Sequence, residues 1–144
     1  MKVMSKEEAH EFLMEGSRTG KLATTRADGR PHVAPIWFTL DGDDLLFTTM
    51  KTSLKGRNLA RDPRLMISVD SEEYPYAFVL IEGNAELEHF SPEELLPWAT
   101  EIAQRYVPEG QAEDFGRRNA VAEEALVRVK VSKLIGRASC RERV

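Results

Sequence analysis

The spacing of apolar residues changes several times along the chain, and each change predicts where an element begins or ends. Ser5 and Glu8 form a capping-box pattern, and apolar residues then recur at helical spacing as far as Gly16, which predicts a short amphipathic helix. Two β-prone runs, Gly20–Arg26 and Pro31–Leu40, flank an Asp-Gly pair, which is a strong signal for a hairpin.

A third β-prone run, Leu45–Met50, follows the turn at residues 41–44 and completes a predicted three-stranded antiparallel meander. Pro35 lies in the second strand and cannot donate to a strand ladder, so we expect that strand to be bulged or interrupted there. Such an interruption leaves backbone groups free to face a ligand.

The second half of the chain predicts three further strands and the remaining helices. Gly83 is expected at a bulge or at a point of close packing. Ser91 and Pro92 form a strong helix start. The predicted strands cover Leu65–Val69, Tyr76–Leu87 and Leu126–Val131, and the predicted helices cover residues 91–107 and a turn or two at Ala112–Asn119.

These elements predict a mainly β fold of the α+β class, with six antiparallel strands closed into a barrel and two or three flanking helices. Barrel closure removes the exposed edge strands that favour aggregation. With 144 residues the chain is expected to form one domain, at residues 1–136. The ending at residues 137–144 is interpreted as a basic tail that is foreign to the fold or disordered.

Composition excludes several classes of function. A hydrophobic fraction of 42% and a charged fraction of 31% are typical of a soluble globular protein, and no apolar run approaches the ~20 residues that cross a bilayer. The net charge of −4 argues against a general nucleic-acid binder. The polar start does not predict a secretory signal, and the single cysteine, Cys140, cannot form an internal disulfide. We therefore expect a cytoplasmic protein with no membrane or nucleic-acid partner.

Against this acidic background, the segment from Leu45 to Arg64 is strongly basic. Its apolar run predicts a strand, and Ser53 can cap a helix that ends before Pro63. Because a helix N-terminus offers free N–H donors and about half a positive charge, the arrangement predicts a phosphate site. The alternative is the solvated basic face of a short surface helix. The basic residues are Lys51, Lys55, Arg57, Arg61 and Arg64, against Asp62 as the one acid.

No set of conventional catalytic residues is visible, so the sequence leaves the catalytic group unknown. The three histidines, His10, His32 and His89, lie on separate predicted elements without metal-binding spacing, and we expect no metal. Trp37 and Tyr106 are interpreted as core or interface aromatics.

Three stretches, PHVAPIWF, LLFTTMKTSLKGRNLARDPR and IEGNAEL, resemble the pyridoxamine 5′-phosphate oxidase-like, FMN-binding split-barrel superfamily. Within it, the chain is most similar to the branch that uses the deazaflavin coenzyme F420. The resemblance extends from about Ser5 to Gly136, and its most specific part is Lys55-x-x-Asn58-Leu59 followed by Asp-Pro-Arg. It implies a six-stranded split barrel that forms a homodimer with the cofactor sites at the subunit interface.

The resemblance also implies which residues bind the cofactor. The ring system is expected against a strand backbone, with a contact from the partner subunit's Tyr76. The phosphate is expected between a strand end and the helix start, where Asn58 belongs to the same motif. The implied ring contacts are His32, Val33, Ala34, Pro35, Ile36 and Trp37, and the implied phosphate contacts are Thr48, Thr49, Ser53 and Lys55.

Leu54 bears on the choice of cofactor, because flavin sites in such families often have Arg at this position. The absence of this arginine favours coenzyme F420 over flavin mononucleotide (FMN). The spaced cations Lys51, Lys55 and Arg57 suit a phosphodiester and an anionic oligoglutamate tail. The resemblance thus implies an oxidoreductase that transfers hydride from reduced coenzyme F420 to a small electron-poor acceptor. The alternatives are an FMN-dependent oxidoreductase or oxidase, and a non-catalytic flavin or deazaflavin-binding protein.

Overall fold

The computed structural model describes residues 1–139, which form one antiparallel sheet and four helices that pack against it. Three of the four helices begin at a serine cap, Ser5, Ser53 or Ser91, whose hydroxyl accepts from the backbone N–H three residues on. The helices are α1 (Lys6–Met14), α2 (Leu54–Arg61), α3 (Pro92–Gln104) and α4 (Ala112–Asn119). The strands are β1 (Lys2–Val3), β2 (Gly20–Thr25), β3 (Pro31–Ile36), β4 (Thr39–Asp41), β5 (Asp44–Met50), β6 (Arg64–Ser71), β7 (Ala77–Glu88) and β8 (Glu124–Ala138).

The strands follow the order β3-β2-β6-β7-β8-β5-β4, with β1 paired to the far end of β8. Because β3 and β4 are two parts of one bent strand and β1 has only two residues, six principal strands remain. The predicted mainly β, six-stranded antiparallel fold is therefore confirmed. The described part of the chain has four helices, where two or three were predicted.

The bend between β3 and β4 opens the barrel on one side. β3 pairs with β2, whereas β4 pairs only with the first half of β5, at Thr39–Asp41 against Asp44–Leu46. Within residues 1–139, the second half of β5 pairs with β8 but has no partner on its other edge. The strand break lies at Trp37 and Phe38, two residues beyond the predicted position at Pro35. A split therefore separates β3 from the end of β5.

Two apolar cores hold this arrangement, and β5 contributes to both. Leu45 and Phe47 point into the barrel core, and Leu46 points to a second core beneath α3, with Leu95 and Leu126. A strand that is covered on both faces is apolar without alternation, which explains the continuous apolar run in β5.

The predicted boundaries differ most at β8, which is much longer than Leu126–Val131. Gly83 lies at a bulge in the β7–β8 pairing, as predicted, and a Cβ there would lie 2.7 Å from the carbonyl oxygen of Lys130. β8 includes Arg137 and Ala138, which pair with β1 and β7, so the segment interpreted as a tail begins inside a strand. Cys140 and the rest of that segment lie outside the described residues. None of the helices in residues 1–139 is long and apolar enough to cross a membrane.

Candidate cofactor cleft

A cleft of about 330 Å³ lies in the split between β3 and the end of β5. Seven of the fifteen predicted cofactor-binding residues line it, and they come from both sides of the split and from the start of α2. They are Pro35, Ile36, Trp37, Thr48, Thr49, Ser53 and Lys55, joined by Met50, Ala99, Ile102, Asn119 and Glu124, which sequence analysis did not identify.

The start of α2 forms one end of the cleft and is capped by Ser53. The Ser53 hydroxyl accepts from the Gly56 N–H at 3.1 Å and donates to the Met50 carbonyl at 2.8 Å. Because its only hydrogen is used there, the 2.8 Å contact with Thr49 Oγ1 is a hydrogen bond that Thr49 donates. Both hydroxyl hydrogens are thus committed within the protein. An anion can bond directly to the N–H groups of Leu54 and Lys55, which have no intrahelical acceptor.

Of the five basic residues in this segment, Lys55 is the one that lines the cleft. It has no ion pair or side-chain hydrogen bond to any other described residue. Lys51 Nζ donates to the Ala122 carbonyl at 2.9 Å, and Arg61 donates to the Thr25 carbonyl and to Asn58 Oδ1. Arg57 is exposed on the outer face of α2. The predicted basic cluster therefore divides into one cation in the cleft, an exposed one, and others with structural partners.

Gly56 allows α2 to approach the end of β5 closely. A Cβ at this position would lie 2.5 Å from the Met50 carbonyl oxygen and 3.1 Å from Ser53 Oγ. No side chain fits there without moving the first turn of α2 away from the strand. The cleft geometry therefore depends on glycine at this point.

Glu124 is the one acidic residue that lines the cleft, and its side chain is almost fully buried, at 8% exposed. Burial raises the pKa of its carboxyl, while a hydrogen bond from Thr48 and the charge of Lys55 act in the opposite direction. The strand register places it opposite Met50, at the start of β8. In the sequence, Glu124 is recognisable only as an acidic residue at the first position of a buried strand, and this does not reveal that it lines a cleft.

The Trp37 wall of the cleft is held from behind by residues at the end of α3. Trp37 stacks on Tyr106, with ring centroids 5.2 Å apart and planes within 5°. The Tyr106 hydroxyl donates to the Arg18 carbonyl at 2.9 Å, and Arg105 donates to the carbonyls of Phe38 and Leu13. Burial lowers the pKa of Arg105 and raises that of Tyr106. The interpretation of Trp37 as a packing aromatic thus fits, although the same ring also faces the cleft.

Several predicted contacts lie outside the cleft. His32, Val33 and Ala34 lie on β3 beyond it; Val33 is 63% exposed, and His32 Nδ1 is buried without a hydrogen-bond partner in the described residues. Asn58 is buried, and its amide donates to Thr24 Oγ1 at 3.0 Å, so it holds α2 against β2 and does not face the cleft. This corrects its assignment as a cofactor contact. Leu54 is half-buried at the helix start, and Tyr76 is exposed before β7, edge-on to Tyr74.

A larger groove of about 600 Å³ lies across β2, β6 and β7, and it shares no lining residue with the cleft. Arg64 is its one cationic residue, and its guanidinium bonds both oxygens of Asp62, at 2.7 and 3.0 Å. These bonds lower the pKa of Asp62 to about 2. The cation of this groove is therefore already paired with a carboxylate, whereas Lys55 in the smaller cleft has no ion pair among the described residues. No group of three or more metal-ligating side chains occurs in residues 1–139.

Comparison with known proteins identifies the family to which this fold belongs. The family model described as pyridoxamine 5′-phosphate oxidase matches residues 5–135, nearly the whole described chain. The chain belongs to this family. As a pyridoxamine 5′-phosphate oxidase-family member it has the split barrel expected from the sequence, and the cleft lies in the split itself.

Several solved structures of other proteins are similar to this chain over most of their length. A conserved hypothetical protein from Mycobacterium tuberculosis shares 29% identity over 92% of this chain and 83% of its own, with a TM-score of 0.77. An F420 reductase shares 28% identity over 86% of this chain and 94% of its own, with a TM-score of 0.70. A FAD-binding protein from Mesorhizobium loti, at 19% identity over 96% and 98% of the two chains and a TM-score of 0.70, has the same fold.

Proposed function

We propose that this protein is an oxidoreductase that uses reduced coenzyme F420 as the hydride donor to a small electron-poor acceptor. The observation that carries the proposal is the cleft in the split, where an unpaired lysine and the free end of a helix face the same space. Similarity to an F420 reductase supports a deazaflavin as the cofactor.

The donors at the start of α2 fit the phosphate of such a cofactor. Lys55 Nζ and the N–H groups of Leu54 and Lys55 can converge on one anion, and the closeness that Gly56 permits brings them to the end of β5. The exposed Arg57 lies on the outer face of the same helix, where a cation can attract the carboxylates of an oligoglutamate tail.

The rest of the site would orient the ring system and exclude water. Trp37, fixed by its stacking on Tyr106, supplies a rigid wall, and Ala99 and Ile102 supply apolar surface. When bound, the reduced deazaflavin would supply the hydride. The protein would contribute binding and orientation, which agrees with the absence of a conventional catalytic set in the sequence.

We further propose that two subunits complete each site. The cleft volume of about 330 Å³ is at the lower end of the ~300–1,000 Å³ typical of ligand pockets. A tricyclic ring with a phosphate and a long tail needs more surface than one subunit offers here. The exposed Val33 and Tyr76 are candidates for the missing surface.

Two alternatives remain open to test: an FMN-dependent oxidoreductase, and a protein that binds the cofactor without turnover. Fluorescence titration of the purified protein with coenzyme F420 and with FMN distinguishes the FMN-dependent alternative from the proposal. We expect coenzyme F420 to bind more tightly than FMN, and its binding to weaken as the salt concentration rises. Protein purified with stoichiometric FMN would contradict this order. Oxidation of reduced coenzyme F420 in the presence of nitroaromatic or quinone acceptors separates an enzyme from a binding protein.

A further inference from the structure

Glu124 faces the proposed phosphate position although its charge is the wrong one for binding an anion. Its side chain is almost fully buried, and it forms no ion pair with any other residue in 1–139. Opposite it, Met50 ends β5, and the Lys51 N–H donates to the Glu123 carbonyl at 2.8 Å. These bonds fix the start of β8 beside the turn that leads into α2.

The charges in the cleft nearly balance. Lys55 and Glu124 are the two charged residues that line it, and the start of α2 adds about half a positive charge. Thr48 and Asn119 face the same space as neutral polar groups, and α3 contributes the apolar Ala99 and Ile102. With Glu124 ionised, the cleft is therefore only slightly positive. Such a cleft offsets about half of one negative charge, so a second negative charge on the ligand is left without compensation.

We propose that Glu124 makes the cleft selective for phosphodiester monoanions over phosphomonoester dianions. The inference rests on the proposed function, because it takes the phosphate of the cofactor to lie at the start of α2. Coenzyme F420 carries a phosphodiester at this point of its chain, whereas FMN ends in a phosphomonoester whose second pKa is about 6. Glu124 would therefore strengthen the expected preference for coenzyme F420, since Leu54 only removes an attraction for FMN whereas Glu124 adds a repulsion.

The electrostatic energy between Glu124 and the ligand scales with the ligand charge. Removing the carboxylate charge should thus improve the binding free energy of a dianion twice as much as that of a monoanion. The fold-increase in affinity for the dianion is then the square of the fold-increase for the monoanion. For a charge a few ångströms away in a half-open cleft, we expect about tenfold for FMN and about threefold for coenzyme F420.

Glu124→Gln tests this with little change of shape, and Glu123→Gln removes a charge from the neighbouring exposed residue as a matched control. Dissociation constants are measured at pH 8 for FMN, coenzyme F420 and riboflavin, which has the FMN ring and no phosphate. Glu124→Gln should tighten FMN more than coenzyme F420 and leave riboflavin unchanged, and Glu123→Gln should affect all three by less than about twofold. At pH 5.5, where FMN is largely a monoanion, the gains for FMN and coenzyme F420 should become nearly equal, because both ligands then carry about one negative phosphate charge whatever the charge of Glu124.

Equal factors for FMN and coenzyme F420, or no change with either, would overturn the selectivity while leaving the proposed function intact if reduced coenzyme F420 is still turned over. A change with riboflavin as large as with FMN would mean that the substitution alters the shape of the cleft, which also overturns the proposal. Wild-type protein that binds neither phosphorylated cofactor would overturn both.

Discussion

Lys55→Ala and Arg61→Ala each remove one positive charge from α2, yet we expect the first to weaken cofactor binding and the second to lower the stability of the fold. Lys55 lies in the first turn, lines the cleft and has no partner among the described residues. Arg61 lies in the last turn and donates to the Thr25 carbonyl and to Asn58 Oδ1. We therefore expect Lys55 to act in ligand binding and Arg61 to attach the helix to β2.

The magnitudes follow from these partners. Loss of a charge-assisted hydrogen bond costs about 1.5–3 kcal/mol, so Lys55→Ala should weaken binding of coenzyme F420 by about tenfold to a hundredfold and leave the melting temperature unchanged. Arg61→Ala removes two hydrogen bonds of an exposed side chain, each worth roughly 0.5–1.5 kcal/mol, and should lower the melting temperature by a few degrees. Its dissociation constant should change by less than about threefold.

Fluorescence titration and thermal unfolding of both variants, with Lys55→Arg as a charge-conserving control, test this difference. Lys55→Arg should retain part of the affinity because the charge stays, although the guanidinium has a different shape. If both Ala variants weaken binding equally, the basic residues act as a diffuse positive surface. The phosphate position at the start of α2 would then be wrong.

Three further outcomes are expected. Gly56→Ala should abolish cofactor binding while the protein stays folded, because its Cβ would lie 2.5 Å from the Met50 carbonyl and displace the first turn of α2; retained affinity in a titration would contradict this. The Glu124→Gln variant should be more stable than wild type at pH 8 and equally stable below pH 4.5. Burial raises the pKa of Glu124 in the folded protein above the ordinary 4.5, so the wild-type protein loses stability as this carboxyl ionises. Denaturant unfolding from pH 4 to pH 8 measures the difference. Light scattering should give twice the chain mass of 16.3 kDa, and a monomer at micromolar concentration would remove the shared site.

Sequence analysis singled out seven residues that line the candidate cleft, because the main signals of this part of the chain are local. The apolar run of β5, the cap at Ser53 and the basic start of α2 lie within a dozen residues, and each acts through near neighbours. The same local view misplaced Asn58, since a polar residue next to a binding motif does not reveal that its side chain turns inward to Thr24.

The parts that sequence analysis missed depend on strand register. Glu124 reaches the cleft only because β8 pairs with β5 so that it lies opposite Met50. The predicted end of β8 at Val131 has a related cause. The bulge opposite Gly83 adds one residue at Ser132 and shifts the alternation of inward and outward side chains, so the second half of the strand loses its pattern in the sequence.

The bend at Trp37 connects the fold to the site. If β3 continued straight into β4, it would pair with the second half of β5 and close the barrel, and no cleft would remain. Because the chain turns at Trp37 and Phe38, β3 pairs with β2 alone, and the free edge of β5 leads directly into the capped start of α2. Arg105 and Tyr106 hold the bend through the backbone of Phe38, far from the basic residues in sequence. The opening is therefore a consequence of a single interruption in one strand, which the residues after α3 hold in place, and the capped start of α2 lies at this opening because the free edge of β5 leads into it.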